Sequence, residues 1–498
     1  MRKLRFIFIL TLITCPISVV SAQEVISLEG SWDLSLNDST HYDDYVMLPG
    51  SLQTNGESHP ASEGKVWYRK GVYIPRDWKR YNVTLFLERP HVETTVYVNG
   101  QEVGHQTSRF TPHQYDVTQF LVPGYRNTIA VCVNHGDWTG IIGQMKLCAQ
   151  PRQLNIQQVK VNPEPVDGHL QVSVRLGSEY PSMIYYDEMT VTVTPIGQED
   201  GIAFMTNMDI TSTKMNLRIP LGPGFVLWDE FSPQLYKLSI DIGSDYYETT
   251  IGVRQLKEEG RRLSVNGRPF WLRGTVYSDD FAKTDYPSAD ESSWMDVFAK
   301  LKRYGLNHMR FRSYCPPDAA FAAADQLGVY LLLEGFLKPE ELKDITDVYG
   351  HHPSLVMMTA GDADGGWALP MIACEKGQDE PVRYYKQEIE RHLLAKGETG
   401  FLLPTLNDCS RVLAKEWREF CSPLVVLARF TKLVYTNADT LRVPIEVYNA
   451  LYGNISPVRK NYVITEGECV ITGGGLSSDS IPMGNSEVGT VEFPLEGI

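Results

Sequence analysis

The 498-residue chain has only eight cysteines, none in a CxxC pair. Removing the N-terminal segment discussed below leaves Cys132, Cys148, Cys315, Cys374, Cys409, Cys421 and Cys469. An odd, scattered set of this kind reads as free thiols rather than as a disulfide framework or a zinc site. The chain is also poor in positive charge. Its 46 Lys and Arg stand against 61 Asp and Glu, a formal charge of −15 with a pI near 5.3. Nucleic-acid phosphates reward clustered Lys and Arg, so this balance argues against nucleic acid as a partner and favours a neutral or weakly charged ligand. No HExxH motif and no His/Asp cluster is present, and Gly473, Gly474 and Gly475 precede no helix. Neither a metal, nor a cofactor, nor a phosphate-binding loop is expected.

Long apolar runs are missing, with one exception. The run from Phe6 to Val20 follows Arg2, Lys3 and Arg5 and ends at the small-residue site Val20-Ser21-Ala22. This is the pattern of a bacterial-type secretory signal over residues 1–22, cleaved after Ala22, and it predicts a secreted or periplasmic protein. Thr14 and Pro16 make Leu12 to Cys15 a poor lipoprotein box, so lipid anchoring at Cys15 is not expected. No other segment has the roughly 20 apolar residues that span a bilayer.

The rest of the chain is mostly strand-like, and its length suits about three domains. From Ile26 to about Gln150, runs such as VWYRKGVYIP, YNVTLFLER, TTVYVNGQEVG and NTIAVCVNH carry the β-branched and aromatic content of strands. Asn99-Gly100 predicts a tight hairpin, because a type I′ turn needs positive φ at both central residues. Many strands with no helix between them give a β-sandwich. A second such block, with LQVSVRL, MTVTVTPI, YKLSIDI and ETTIGV, runs from about Leu154 to Arg254.

The pattern then changes to strands alternating with helices, the mark of a parallel sheet or barrel. PFWLRG (269–274), HMRF (308–311), VYLLLEG (from Val329) and SLVMMTAG read as strands one to four. Between them lie an amphipathic helix ended by Gly305, a helix from Pro316-Pro317-Asp318 to Gly328, and the helix PEELKDITDVYG. YYKQEIERHLLAKG and GFLLPTLND add a helix and a strand, and from about Phe430 the chain returns to strands.

Several short motifs resemble glycoside hydrolase family 2, which includes β-galactosidases, β-glucuronidases and β-mannosidases, from about residue 28 to the C-terminus. They are Gly30-Ser31-Trp32, Leu48-Pro49-Gly50, Trp67-Tyr68, Val98-Asn99-Gly100, Asp116-Val117-Thr118 and the segment from Asp137 to Ile141. LWDEFSPQLYKL, IGVRQL, Asn266 to Pro269 and Asn307 to Arg310 continue the match. The resemblance implies a multidomain β plus α/β protein, with a jelly-roll β-sandwich (23–153), an immunoglobulin-like β-sandwich (154–255), an incomplete (β/α) TIM-like barrel (256–428) and a C-terminal β-sandwich (429–498). It also implies action on β-linked terminal sugars of a glycan by a retaining route.

In that family the fourth barrel strand ends in Gly-Asn-Glu, whose Glu is the acid/base, and the seventh ends in a Glu nucleophile. Here the first motif reads Gly361, Asp362, Ala363, and the second is similar at Ile372, Glu375, Gly377 and Gln378. The resemblance therefore implies a nucleophile at Glu375 and a lost acid/base at Ala363. A retaining glycosidase needs two carboxyl groups about 5 Å apart. Asp362 and Asp364 are the candidate surrogate acids, since carboxylates placed near each other raise one pKa. An aspartate falls about 1.5 Å short of a glutamate, and such misplacement can cost about a hundredfold.

Glu375 follows Ala363 by twelve positions, too few for the helices and strands that separate these sites in a full barrel, where one repeat takes roughly 30 residues. A partial barrel of about six strands is expected, pinched shut or open at the gap. Arg310, Arg312, Glu334 and Trp367 are the candidate substrate-binding residues, with salt bridging along the rim as the alternative. The two functional readings are a β-glycosidase with an impaired acid step and a non-catalytic carbohydrate-binding or scaffold relative.

Overall fold

The structure is a computed structural model. It describes residues 24–36, 39–55, 65–134, 139–180, 187–197, 201–259, 262–277, 286–335, 338–359, 369–374, 380–395, 400–407, 412–432, 434–451, 453–456 and 458–496. Among these, no helix is long and apolar enough to cross a membrane.

The strand runs of the first block fold as two facing antiparallel sheets. One orders Asp44–Leu48, Gly30–Ser35, Lys65–Tyr73, Arg126–Asn134, Glu93–Val98 and Gln101–Thr107. The other orders Glu24–Ser27, Gly140–Pro151, Tyr81–Pro90 and His113–Asp116, with Gly50–Ser51 also pairing to Gly140–Pro151. Alternation decides what faces in: Thr94, Val96 and Val98 are buried while Glu93, Thr95 and Tyr97 are only partly so. Asn99 and Gly100 have φ of 52° and 81°, the hairpin geometry that the Asn-Gly pair predicts.

The second block is likewise two sheets. Leu154–Val166, His169–Ser178 and Lys214–Pro220 form one, and Phe204–Asp209, Glu188–Pro195, Tyr236–Asp241 and Tyr246–Ile251 the other. Val172, Val191, Val193, Leu238 and Ile240 fill the space between them.

The strand–helix alternation forms a parallel sheet. Its strands are β1 (Leu272–Val276), β2 (His308–Arg312), β3 (Tyr330–Glu334), β4 (Leu355–Met358) and β5 (Gly400–Leu403). The helices are α1 (Glu291–Arg303), α2 (Asp318–Leu327), α3 (Pro339–Tyr349), α4 (Pro381–Leu394) and α5 (Ala414–Phe420). The order is β4-β3-β2-β1-β5, all parallel, and Met371 adds a parallel bridge to Leu402 on the outer side of β5. Among the described residues this is an open arc, with no strand paired to the free edge of β4. Strand one lies later than its apolar run suggests. Arg268–Pro269 instead pairs antiparallel with Arg262–Val265, and the buried stretch is Leu272–Val276. Pro269 has no N–H to give an interior ladder.

Capping explains where the helices sit. Asp290 accepts from Ser293 N–H at 3.0 Å to start α1, which buries Trp294, Phe298 and Leu301 on one face. Gly328 closes α2 at φ 66°. After α5, Leu424–Ala428, Thr440–Asn449 and Gly484–Pro494 form one antiparallel sheet, and Val458–Glu466 pairs with Cys469–Ser478. Val425, Leu427 and Tyr448 share the core of the parallel sheet.

Buried polar contacts tie these layers together. Glu230, from the LWDEFSPQLYKL segment, accepts from Arg273 at 2.6 Å and from Asn307 at 3.0 Å, and its backbone carbonyl accepts from Lys302 at 2.8 Å. Arg268 stands 3.5 Å from Asp229 and 3.7 Å from Glu230. Trp228 donates its indole N–H to Asp325 O, and Arg254 donates to Pro353 O and Leu355 O. From the first sandwich, Arg89 donates to Cys315 O, Pro316 O and Tyr349 Oη.

Two outcomes follow for stability. Glu230 and Arg273 are each 3% exposed, and removing one partner of such a pair costs about 3–5 kcal/mol. Glu230→Ala should lose that much in urea unfolding; a loss below about 1 kcal/mol, the range of exposed pairs, would contradict the assignment. The second concerns His352, whose Nδ1 lies 2.6 Å from Asp325 and Nε2 3.3 Å from Asp318. Burial alone would lower its pKa, but the carboxylates outweigh burial and raise it to about 10. Asp325 is the stronger partner, because the Asp318 side chain is more than half exposed. A raised folded-state pKa contributes stability fully below the unfolded value of 6.5 and loses it as pH climbs through about 10. The stability gap between the native chain and His352→Gln should therefore be widest at pH 6 and shrink toward pH 10. A constant gap would contradict the pairing.

Candidate functional site

Parallel strands gather their useful side chains where their C-terminal ends meet, because the helices occupy the outer layer and the following loops open there. In this sheet that edge holds Val276 of β1, Arg310 to Arg312 of β2 and Glu334 of β3. Register places Val276 beside Arg310 and Arg312 beside Glu334.

Glu334 organises the rim. It is buried, and its two carboxylate oxygens accept from Arg310 Nη1 at 2.8 Å and Arg312 Nε at 2.6 Å. The arginines differ: Arg310 is buried, whereas the Arg312 side chain is 54% exposed. Burial lowers the Arg310 pKa from its ordinary value while Glu334 opposes the shift. Behind them the backbone is tightly held. Ser313, at φ 52°, donates its N–H to Glu334 O at 2.7 Å, and Tyr277 N–H donates to Arg310 O at 2.8 Å. The Tyr277 ring packs 5.2 Å from Trp294 and 5.1 Å from Phe311.

Of the sequence-derived candidates, Arg310, Arg312 and Glu334 thus come together at one rim, joined by the salt bridges weighed as the alternative to substrate binding. Asp362, Asp364, Trp367 and Glu375, with Ala363, lie outside the described residues. Position 362 comes four residues after the end of β4, and position 375 four residues after Met371.

The motif Asn307 to Arg310 divides its labour. Asn307 serves the fold, accepting from Arg273 N–H and donating to Glu230 and Trp271 O. His308 is buried with its Nδ1 3.1 Å from Tyr330 O, and burial followed by the neighbouring Arg310 pushes its pKa down to about 3, so it is neutral. Sequence reasoning missed the clamp made by Arg89. Its only signal was a basic residue at the end of the strand run YNVTLFLER.

Two cavities lie near this region. One of about 140 Å³ between Val276, Tyr277, Val297 and Met309 is smaller than the roughly 300–1,000 Å³ usual for ligand pockets. The other, about 610 Å³, lies between the first sandwich and the N-terminal ends of α1 and α2. Three of its carboxylates already have structural partners: Asp290 caps α1, Asp318 meets His352, and Glu88 accepts from Gln144 N–H.

Comparison with known proteins adds the following. A family model for the sugar binding domain of family 2 glycosyl hydrolases matches residues 17–146. A β-glucuronidase from Paenibacillus borealis is 22% identical over 376 residues, which cover 65% of this chain and 61% of that protein. A β-galactosidase from Leuconostoc mesenteroides is 22% identical over 387 residues, covering 68% of this chain and 36% of that protein. The chain thus spans less than two thirds of the length of these relatives. Among solved structures, β-D-glucuronidase of Dictyoglomus thermophilum matches with a TM-score of 0.55 at 19% identity, over 77% of this chain and 73% of that one. Bifidobacterium dentium β-glucuronidase, complexed with coumarin-3-O-glucuronide, matches with a TM-score of 0.57 at 17% identity, over 77% and 74%. At these identities the structural likeness is one of fold.

The rim makes a graded prediction. Glu334→Gln should lower stability by about 3–5 kcal/mol, because it removes the carboxylate charge from a buried contact with Arg310. Arg312→Ala should change it by no more than about 1 kcal/mol, as expected for a half-exposed partner. Equal losses from the two substitutions in urea unfolding would contradict the difference in burial.

Proposed function

We propose, from this chain's membership of glycoside hydrolase family 2, that it is an exported β-glycosidase acting on terminal β-linked sugars of glycans by the retaining route, with a weakened acid step. The observation that carries the reading is the order of the parallel sheet. Asp362 and Asp364 follow the strand at one edge of the arc, and Glu375 follows the bridge at the other. In an incomplete (β/α) TIM-like barrel whose edges approach each other, those two segments would face across the mouth, and the mechanism requires such a pair. The rim of Arg310, Glu334 and Arg312 supports the same reading, as a fixed set of charged groups beside the place where a sugar would lie.

In this reading a Glu375 carboxylate oxygen attacks the anomeric carbon, the bond to the leaving oxygen breaks, and that oxygen takes a proton from Asp362 or Asp364. Water then cleaves the glycosyl ester, with the same aspartate accepting its proton. Glu334 is a poor choice of acid, since both of its oxygens already accept hydrogen bonds from arginines. Arg310, Arg312, Glu334 and Trp367 hold the sugar.

A second reading, a carbohydrate-binding relative without turnover, is favoured by one specific observation: Ala363 stands where the family has its acid/base Glu.

Aryl glycosides separate the two. A nitrophenyl leaving group needs little protonation, so the glycosidase reading predicts turnover of nitrophenyl β-glycosides that Glu375→Gln abolishes. It also predicts a gain of at least tenfold on unactivated glycosides in Ala363→Glu. Sugar binding with no turnover in either the native chain or Ala363→Glu would establish the second reading instead.

A further inference from the structure

The C-terminal hairpin has one strand with a neighbour on one side only. Val458–Glu466 pairs with Cys469–Ser478, and Leu476 of that inner strand packs over Gly489 in Gly484–Pro494. Along its outer side, no strand among the described residues pairs with Val458–Glu466. Alternate residues of such an edge turn backbone N–H and C=O groups outward, a template on which another chain can add a strand.

Proteins blunt an edge of this kind by keeping it short, by placing proline or charge along it, by bulging it or by covering it. This strand has nine residues and no proline, against roughly five or six residues in a common strand. Its middle, Asn461-Tyr462-Val463-Ile464-Thr465, is uncharged and rich in β-favouring side chains. The one irregularity of the ladder falls near the turn and puts the extra residue, Ile471, in the inner strand. Val463 is 60% exposed and Val470 68%. A two-stranded hairpin is marginal in water, and added strands stabilise it.

Charge decides which strand fits. The ends of the segment carry opposite signs, with Arg459 and Lys460 at the start and Glu466 and Glu468 at the finish. We infer that the edge pairs with the same strand of a second copy of this chain, antiparallel about a twofold axis through Val463. The basic start of each strand then lies along the acidic finish of its partner, with Lys460 opposite Glu466. Asn461 falls opposite Thr465, Tyr462 opposite Ile464, and Val463 opposite itself, all favourable cross-strand pairs. The neighbouring registers lose this match. Centring on Tyr462 sets Lys460 opposite Ile464 and Glu466 opposite Val458, and centring on Ile464 sets Tyr462 opposite Glu466. The two hairpins become one four-stranded sheet, an isologous interface in which every contact occurs twice.

Sedimentation velocity and disulfide trapping of the full chain test this. The chain should sediment as a dimer at micromolar concentration. Val463→Lys, which sets like charges opposite each other on the axis, should weaken association at least tenfold at unchanged Tm. In a Cys469→Ser background, Val463→Cys should form a disulfide-linked dimer under mild oxidation, because paired Cα atoms about 4.5–5.5 Å apart suit a disulfide. Val470→Cys, of similar exposure but on the inner strand, should crosslink at least tenfold more slowly. Should Val463→Lys melt early, Lys460→Glu should weaken association at least threefold and its combination with Glu466→Lys should restore it. A monomer at micromolar concentration, a dimer unaffected by a folded Val463→Lys, equal trapping at positions 463 and 470, or no restoration by the charge exchange would each overturn the inference.

Discussion

One buried carboxylate holds the two halves of this molecule in register. Glu230 comes from the second sandwich, yet it meets Arg273 on β1, Lys302 on α1, Asn307 just before β2 and, through its backbone N–H, the Tyr330 hydroxyl on β3. A charge this deep is tolerated only when its oxygens are satisfied, and here each one is. The consequence is geometric: the starts of three parallel strands are fixed relative to a β-sandwich whose Trp228 also packs against Leu272, Tyr330 and Leu402 of the sheet. Arg254 and Trp228 extend the same attachment to the start of β4 and to α2.

Glu334 repeats the device at the opposite end. It joins the C-terminal ends of β2 and β3 through two arginines, so the strands are pinned at both ends by a glutamate. The difference lies in exposure. The lower knot is closed to solvent, whereas Arg312 at the rim is half-exposed and available to a ligand. A rigid lower end and a partly open upper end are what a site on loops above a parallel sheet requires. In the proposed reading, Glu334 is fully engaged by its arginines and the proton donor is assigned to Asp362 or Asp364 in the segment after β4.

Much of this was legible in the sequence because it depends on local rules. Strand alternation, the Asn99-Gly100 turn and the Gly328 helix end are set by neighbours in the chain, and each occurs where the sequence predicts it. Arg310, Arg312 and Glu334 could be placed on one rim because parallel strands of known order bring equivalent ends together. Their mutual ion pairs depend on side-chain reach, which spacing leaves open. The long-range locks were not legible: Arg89 reaches residues 226 to 260 positions away, and Glu230 reads only as part of the LWDEFSPQLYKL motif until β1 is packed against it. Strand one was misplaced by three residues because an apolar run extends through Pro269 into a small antiparallel sheet.

The central claim is that a competent nucleophile survives while its acid partner is impaired. A 2-deoxy-2-fluoro glycoside with a dinitrophenyl leaving group isolates that half of the chemistry, since it forms the glycosyl ester without a proton donor and hydrolyses slowly afterwards. Intact-mass and peptide mass spectrometry after incubation with the gluco, galacto, manno and glucurono reagents should find one added sugar, on the peptide containing Glu375. No adduct with any of the four, in both the native chain and Ala363→Glu, would contradict the account.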